Sequence, residues 1–395
     1  MILSIISILW IPSALVHAIC TSNTRFIKYL FLLFFCIRSL YFLFGDLHFP
    51  YPGDGEALYL AVAGTCEYIY NSICLSVQGS NLFFRFDPIS SFLLWSLPTA
   101  YFYSLVLFRG LSRCNSFRNI EAFTNHLSVA TGFTCIVYFA NFFFRDFIYI
   151  GLFSVLILLI EYIHRNLFIK NQSSLFLSFE FTSLLSFLAS TVFMVRHDVT
   201  FIIIFFSLLV SLLLPVLLKS LSLLFSFKIK PFQIFIAFST ALGLSLFLSI
   251  LDFDSFLAAI DAFSNLNIVS RGFWGSYLAI LLGPTPARSL FPAIFYQQTH
   301  LIHDSLAFVL NSLWLLLIFV PFLLNFSRNL FLRLFSYILN TSFVIRFCIV
   351  CICVYISIYS IVYSSVHFRK RVVIYSIGSI AISRAFKQPS HSFYP

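Results

Sequence analysis

Two carboxylates early in the chain lie in a segment whose composition favours a fixed loop. Asp54 and Glu56 stand in the stretch PYPGDGEALY, where prolines and glycines surround them. Such residues set turns rather than helices. A carboxylate pair can act as a general base on a hydroxyl group or hold a divalent cation. We predict Asp54 and Glu56 as catalytic residues. The chemistry requires no cofactor, although the pair could bind a divalent cation, and a solvated loop without chemistry is the alternative.

A second group of charged residues joins apolar runs that have almost no loop between them. It comprises Arg145 with Asp146, and Arg196 with His197 and Asp198. Ionisable groups at such positions are costly in a bilayer unless they are paired or face a wet cavity. Guanidinium groups suit phosphate oxygens because they donate hydrogen bonds in a planar fork. We predict that the two arginines bind phosphate and that the other three residues support them. Two tight turns closed by local ion pairs are the alternative.

Two further basic groups follow later in the chain. Arg271 and Arg288 lie in the long segment 252–304, which Gly and Pro residues at 283–286 interrupt. His367 and the basic run at 369–371 lie immediately before the last apolar stretch. An anionic ligand would account for cations at these positions. We therefore predict Arg288, Arg369 and Arg371 as phosphate-binding residues with Arg271 and His367 in support. No metal site is predicted from any of these groups.

The composition indicates which kind of secondary structure holds these residues in position. Of the 395 residues, 60% are hydrophobic and 10% are charged. In a soluble domain, about 45–50% of the residues are apolar and about 25% are charged. A chain of this size has too little interior to bury so many apolar residues. We predict an all-α integral membrane protein, a single polytopic domain over residues 1–395. The net charge of +10 comes from scattered basic residues, a pattern that indicates membrane orientation rather than nucleic-acid binding.

A membrane-spanning helix needs about 20 predominantly apolar residues. The pattern predicts about 10–11 such helices and two longer outer loops, at about 46–87 and 252–304. The first helix lacks a basic segment before it, so we expect it to be retained rather than cleaved as a signal peptide. Two further questions stay open, whether 273–297 crosses the membrane and whether the weak last span inserts. The predicted spans are 1–20, 29–45, 88–108, 123–144, 147–163, 174–195, 199–218, 231–251, 305–324, 343–363 and 372–386.

Basic residues in alternate short loops predict the orientation. One set of loops carries the groups around Arg25, Arg109, Arg165, Lys228 and Arg328, and we assign that side to the cytoplasm. Most of the 14 acidic residues fall on the opposite side. The candidate residues described above lie on that acidic side as well. Any chemistry is therefore expected at the outer face of the membrane.

Several of these stretches resemble known membrane enzymes. The loop from Asp54 to Tyr59 resembles the first outer loop of polyprenyl-phosphate-sugar-dependent membrane glycosyltransferases of the GT-C class. Arg145-Asp146, SRG at 270–272, LGPTP at 282–286 and HFRKR at 367–371 resemble bacterial O-antigen polymerase-like and oligosaccharide repeat-unit polymerase proteins. The resemblance implies an undecaprenyl-diphosphate-linked glycan as substrate, transferred at the periplasmic face of the bacterial inner membrane. It also implies that Asp54 and Glu56 belong to the carboxylate loop and that Arg145, Arg196, Arg288 and Arg369 bind the diphosphate.

These observations lead to one functional hypothesis and one rival. The hypothesis is a membrane glycosyltransferase or polymerase of a surface polysaccharide, whose outer-face cations bind the leaving diphosphate. Its partners would be the lipid bilayer, the polyprenyl-diphosphate-linked oligosaccharide and other polysaccharide-assembly proteins. The rival is a flippase for the same lipid-linked glycan, which would need charges along a central cavity. A non-enzymatic assembly subunit is the third reading.

Overall fold

The structure is a computed structural model and it describes residues 9–44, 88–111, 120–142, 146–166, 178–195, 199–225, 301–324, 343–362 and 368–385. The described residues form ten helices and no strand, which confirms the all-α prediction for that part of the chain. In chain order the helices are α1 (Trp10–Cys20), α2 (Thr24–Phe44), α3 (Pro88–Leu111), α4 (Ile120–Phe142), α5 (Asp146–His164), α6 (Phe179–Val195), α7 (Val199–Phe225), α8 (Leu301–Leu324), α9 (Phe343–Val362) and α10 (Phe368–Ala385).

Most helix ends lie within about four residues of the ends predicted from apolar runs, but the starts of α2 and α6 differ by five residues and the end of α7 differs by seven. Helix α10 begins at Phe368, four residues before the predicted start at 372. Arg369, Lys370 and Arg371 therefore belong to the first turn of a helix, and their prediction as a segment preceding it was wrong. The predicted span 231–251 lies outside the described residues, as do the segments 46–87 and 252–300.

The tight connection between α1 and α2 follows from local hydrogen bonding. The backbone N–H of Asn23 donates to the carbonyl of Ala18 at 2.8 Å, and that of Ser22 donates to Ile19 at 3.2 Å. This pair of bonds is the Schellman arrangement that closes a helix C-terminus. Its central residue must adopt the left-handed conformation, and Ser22 has a φ of 57° there. A residue other than glycine in that conformation carries strain.

The described helices pack as two compact units. Unit 1 comprises the described residues within Met1–Ser112, Gly132–Phe201 and Pro292–Val309. Unit 2 comprises those within Arg113–Thr131, Ile202–Phe291 and Leu310–Pro395. Helices α1, α2, α3, α5 and α6 thus belong to unit 1, and α9 and α10 belong to unit 2.

Aromatic side chains form the core of unit 1. The Trp10 ring stacks on Trp95 with centroids 5.6 Å apart and on Phe187 with centroids 4.3 Å apart. The indole Nε1–H of Trp10 donates to the carbonyl of Trp95 at 2.7 Å. About two turns further along the same interface, His17 Nδ1 lies 2.9 Å from the Tyr101 hydroxyl. These contacts fix α1 against α3 and α6.

Helix directions in unit 1 alternate along the chain. Helices α1, α3 and α5 run in one direction and α6 runs against them, while the second half of α4 runs from the end of α3 to the start of α5. The end of α3, the end of α5 and the start of α6 therefore meet at one end of the unit. The contacts that establish these directions are Trp10–Trp95, His17–Tyr101, Phe108–Phe133, Phe139–Phe147, Arg109–Glu161 and Tyr162–Phe181.

Small residues allow close helix approach in unit 1. A Cβ added to Gly151 of α5 would lie 2.7 Å from Thr99 Oγ1 of α3. Buried serine and threonine hydroxyls bond within their own helices, as Ser154 does to the Ile150 carbonyl at 2.7 Å. Such small residues are typical of helix pairs in membranes. Among the described residues, one 18-residue stretch, Asp146–Ile163, is long and apolar enough to cross a bilayer, and 83% of it is buried. The predicted number of spans therefore stays a prediction.

Candidate functional site

The first turn of α10 carries buried cations. Lys370 is 7% exposed and Arg371 is 5% exposed. The Lys370 ammonium lies 5.1 Å from the centroid of the Tyr359 ring of α9, a cation–π contact. Tyr359 in turn packs on Tyr355, with ring centroids 4.4 Å apart. We call Lys370 and Arg371, with the Tyr359 ring, the α10 cation site.

The helix dipole is unfavourable for cations at this position. The N-terminus of a helix carries about half a positive charge, so a cation there costs roughly 0.3–1 kcal/mol rather than gaining it. Burying a cation adds a desolvation cost that only a partner can offset. The Tyr359 ring offsets part of that cost for Lys370. A bound phosphate would complement both the helix end and the two side chains.

Contacts with α8 hold α10 in position. The Tyr375 hydroxyl donates to Asn311 Oδ1 at 2.6 Å in a buried hydrogen bond. The Trp314 ring stacks on Tyr375 with centroids 4.8 Å apart, and a Cβ at Gly378 would lie 2.6 Å from Trp314 Cζ3. Only glycine permits this approach of the indole to the α10 backbone. The α10 cation site is thus carried by a helix whose position and rotation are fixed.

A second group of charges lies in unit 1, and the sequence analysis did not bring its members together. Arg109 Nη1 of α3 lies 3.3 Å from Glu161 Oε2 of α5, and Arg109 Nη2 lies 3.9 Å from Glu180 Oε1 of α6. Arg165 Nη2 lies 3.1 Å from Glu180 Oε2. We call these four residues the Arg109 network. Two arginines and two glutamates balance in charge, so the network ties three helix ends together rather than attracting an ion.

Local geometry orders the residues around the Arg109 network. Ser178 caps α6, because its hydroxyl accepts the backbone N–H of Phe181 at 3.2 Å. The same hydroxyl makes a short hydrogen bond with the Tyr162 hydroxyl of α5. The Arg165 guanidinium lies 5.5 Å from the Tyr162 ring centroid. A signal for this site was present in the sequence, since carboxylates within apolar runs require a partner.

Of the predicted site residues, the structure describes the side chains of Asp146 and Arg371 only. Asp146 is fully buried at the first position of α5, where its negative charge is favourable to the helix dipole. Arg371 is buried in α10. Arg369 also lies in α10, but its side chain is not described. Nothing about the other predicted residues follows from the structure, because they lie outside the described residues: Asp54, Glu56, Arg145, Arg196, His197, Asp198, Arg271, Arg288 and His367.

Within the described helices, no group of three or more His, Cys, Asp and Glu residues could hold a metal ion. The Asp54 and Glu56 pair, which could bind a divalent cation, is not among the residues searched. The described residues therefore offer one arrangement suited to a ligand, the α10 cation site. Its lysine and arginine side chains supply hydrogen-bond donors and no acceptors.

Comparison with known proteins identifies no relative of the chain. The chain matches no protein-family model, no curated protein and no solved structure. The chemistry of the chain therefore rests on its own residues.

Proposed function

We propose that the chain is a multi-pass membrane protein, a polytopic helical bundle in the bacterial inner membrane. The surface of α2 supports this proposal, because four large side chains of that helix are 58 to 70% exposed: Tyr29, Phe31, Leu32 and Phe35. Phe31, Leu32 and Phe35 share one face of α2 by their spacing, and large exposed apolar patches are rare in soluble monomers. Buried serines, threonines and His17 lie among the apolar residues of the interior. Lipid as the solvent of the outer surface accounts for the exposed apolar side chains of α2.

The arrangement of unit 1 also supports a bundle that crosses the membrane. Alternating helix directions bring Arg109 and Arg165 to the same end, as the distribution of basic residues predicts for the cytoplasmic side. Glu161 and Glu180, which would be costly within lipid, are paired at that end. By the orientation predicted from the sequence, the start of α10 faces the opposite, periplasmic side.

The activity proposed for this bundle is that of a glycosyltransferase or polymerase of a surface polysaccharide. The observation that carries the proposal is the pair of buried cations, Lys370 and Arg371, at the start of α10. Strong donors in a site that excludes water stabilise the charge that develops on a leaving phosphate. An undecaprenyl-diphosphate-linked glycan presents such a leaving group at the membrane surface. In this proposal, Lys370 and Arg371 of the described part of the chain bind the leaving diphosphate.

The remaining roles fall to residues of the outer segments. Asp54 or Glu56 would take the proton from the acceptor hydroxyl as that oxygen attacks the anomeric carbon. The bond from that carbon to the diphosphate oxygen breaks, and the diphosphate leaves as an anion held by the arginines. No cofactor takes part in this transfer. The apolar helices would provide a groove for the prenyl chain.

Complementation of a strain that lacks the gene tests this proposal. Arg371→Ala and Asp54→Ala, each inserted at the parent level, are expected to abolish long polysaccharide chains on a gel ladder. Arg25→Ala is the matched control, because Arg25 is exposed at the start of α2, and it should restore the ladder. A full-length ladder from the Arg371 variant would refute the role of the α10 cation site.

One observation favours a flippase as the second candidate. Arg384, near the other end of α10, is also buried, with 7% exposure, so cations occur near both ends of a single enclosed helix. A path for an anionic headgroup through the bundle would use both ends. The two activities differ in where the single-repeat lipid-linked glycan accumulates in the deletion strain. Accumulation in the outer leaflet supports the polymerase, and accumulation in the inner leaflet supports the flippase.

A further inference from the structure

One side of α2 is exposed over three helical turns and carries charge at one end only. It comprises Arg25, Lys28, Tyr29, Leu32 and Cys36, all of which are exposed. Their spacings of three, one, three and four residues place them in one stripe along the helix. We call these five residues the α2 stripe. Its two cations lie near the start of α2, and its other three members are uncharged.

The opposite side of α2 is buried in unit 1. Leu30, Phe34 and Ile37 are each at most 5% exposed, and they lie roughly half a turn around the helix from the α2 stripe. The helix packs on α3, where the Phe26 ring meets the Phe108 ring with centroids 4.9 Å apart. The rotation of α2 is therefore fixed, and the α2 stripe faces away from the rest of unit 1.

The two cations of the α2 stripe have no carboxylate partner among the described residues. Phe108 precedes Arg109 in the sequence, so its contact with α2 places the start of that helix at the same end of unit 1 as the Arg109 network. The arginines of that network are paired with glutamates. Arg25 and Lys28 form no ion pair in the described part of the chain. Both charges are therefore available to bind a partner outside the helix bundle.

The dimensions of the α2 stripe match one lipid molecule. Arg25 and Cys36 are eleven residues apart, which is about 16 Å along a helix axis. One leaflet contributes about 15 Å, half of the hydrocarbon core. Tyr29 follows the cations at the level where aromatic side chains prefer to lie in a membrane. Cations at the headgroup level, followed by uncharged surface as deep as one leaflet, fit a phospholipid that lies along the helix.

Charge complementarity favours an anionic lipid over other occupants of this surface. Arginine and lysine donate hydrogen bonds and accept none, so they suit the oxygens of a phosphate group. Each basic residue near the membrane surface attracts anionic lipids by about 1 kcal/mol. A second copy of the chain would meet the α2 stripe across a two-fold axis along the membrane normal. That axis would set like charges against each other at the same depth, which is unfavourable.

We propose that the α2 stripe binds an anionic phospholipid of the cytoplasmic leaflet. Its phosphate lies on Arg25 and Lys28, and one acyl chain follows Tyr29, Leu32 and Cys36. The inference rests on the proposed membrane bundle and adds a lipid partner to it. This lipid is bound as a component of the membrane rather than as the substrate, so the polysaccharide ladder does not test it.

Quenching of a fluorophore on Cys36 by labelled lipids tests this proposal. The label is attached to the full-length protein in vesicles, in a variant whose other accessible cysteines are changed to serine. The probes are phosphatidylglycerol, which has a net negative charge, and phosphatidylcholine, which has none, each with a nitroxide quencher on an acyl chain. At equal amounts, phosphatidylglycerol should occupy the α2 stripe at least about fivefold more often, which corresponds to about 1 kcal/mol.

Two double variants show whether the cations of the α2 stripe cause the preference. Arg25→Gln with Lys28→Gln should bring the ratio of the two lipids to about one. Arg113→Gln with Arg118→Gln is the matched control, because it removes the same charge from the segment after α3, on the same predicted side of the membrane. The control should keep the preference of the parent. A parent ratio near one, an unchanged ratio in the first double variant, or an equal loss in the control overturns the proposal.

Flotation of the vesicles separates this inference from the proposed function. If the protein floats with the vesicles and both lipids quench the label equally, the membrane bundle stands and this inference fails. If the protein floats but neither lipid quenches the label, a second copy or another segment covers the α2 stripe, and again only this inference fails. If the protein does not float with the vesicles, the proposed membrane bundle fails together with the inference.

Discussion

Replacing Gly378 by alanine is the sharpest test of how α10 is held. The added methyl would meet the Trp314 ring, with Cβ 2.6 Å from Cζ3. Real Cβ contacts under 3.0 Å essentially do not occur, so the ring or the helix must move. The ring cannot rotate away freely, since it is buried and stacks on Tyr375. Any adjustment therefore displaces the helix that carries the α10 cation site.

A second glycine provides the comparison from which the magnitude follows. At Gly132 of α4, an added Cβ would meet the methyl groups at the tip of Leu107 and would lie 3.0 Å from the Tyr103 hydroxyl. A leucine tip can rotate at small cost. Both substitutions gain about 1 kcal/mol of helix propensity, which cancels in the comparison. Overpacking against the rigid indole costs about 1–3 kcal/mol, so Gly378→Ala should be less stable than Gly132→Ala by about 1–2 kcal/mol.

The assay is thermal unfolding of the purified variants in one detergent. The expected difference corresponds to a melting temperature lower by a few degrees for Gly378→Ala. In a Trp314→Leu background the same substitution should cost almost nothing, because the clashing ring is gone. If Gly378→Ala melts at or above Gly132→Ala, the reasoning about the α8–α10 seam is refuted.

Two further predictions concern unit 1. Ser22→Gly should raise the melting temperature, because Ser22 holds a φ of 57° at a cost of about 1 kcal/mol that glycine avoids; a lower melting temperature would contradict the assignment of strain. Glu180→Gln removes the charge that pairs with Arg165 at 3.1 Å, and the loss should be only about 0.2–1 kcal/mol, since the pair is partly exposed. The stability difference between Glu180→Gln and the parent should shrink in high salt, and a difference independent of salt would argue against an ion pair.

The sequence predicts the helices well because apolar length is a local property. Runs such as 147–163 and 343–363 agree within one residue with α5 and α9. The start of α10 was misplaced because a hydropathy pattern treats cations as the end of an apolar helix. In the structure a cation extends the helix when its charged group finds a partner, as Lys370 does on the Tyr359 ring. That partner belongs to another helix and leaves no mark on the local pattern.

The candidate site was predictable only in part for the same reason. Arg371 was identified as a phosphate-binding residue from its type and position, and its burial is consistent with that prediction without testing it. Asn311 was missed because its partner, Tyr375, is 64 residues away. Glu161 was missed although it lies in an apolar run, and its partner is 52 residues away. Pairing between distant helices is decided by tertiary packing, which spacing along the chain does not reveal.

Sidedness is the central claim, and dual topology reporters fused within the full chain test it most directly. Fusions after residues 112 and 168, which follow α3 and α5, should report the cytoplasm. Fusions after residues 144 and 197, and after residue 366 just before α10, should report the periplasm. Reporters after 112 and 168 on different sides, or a reporter at 366 on the cytoplasmic side, would contradict the account.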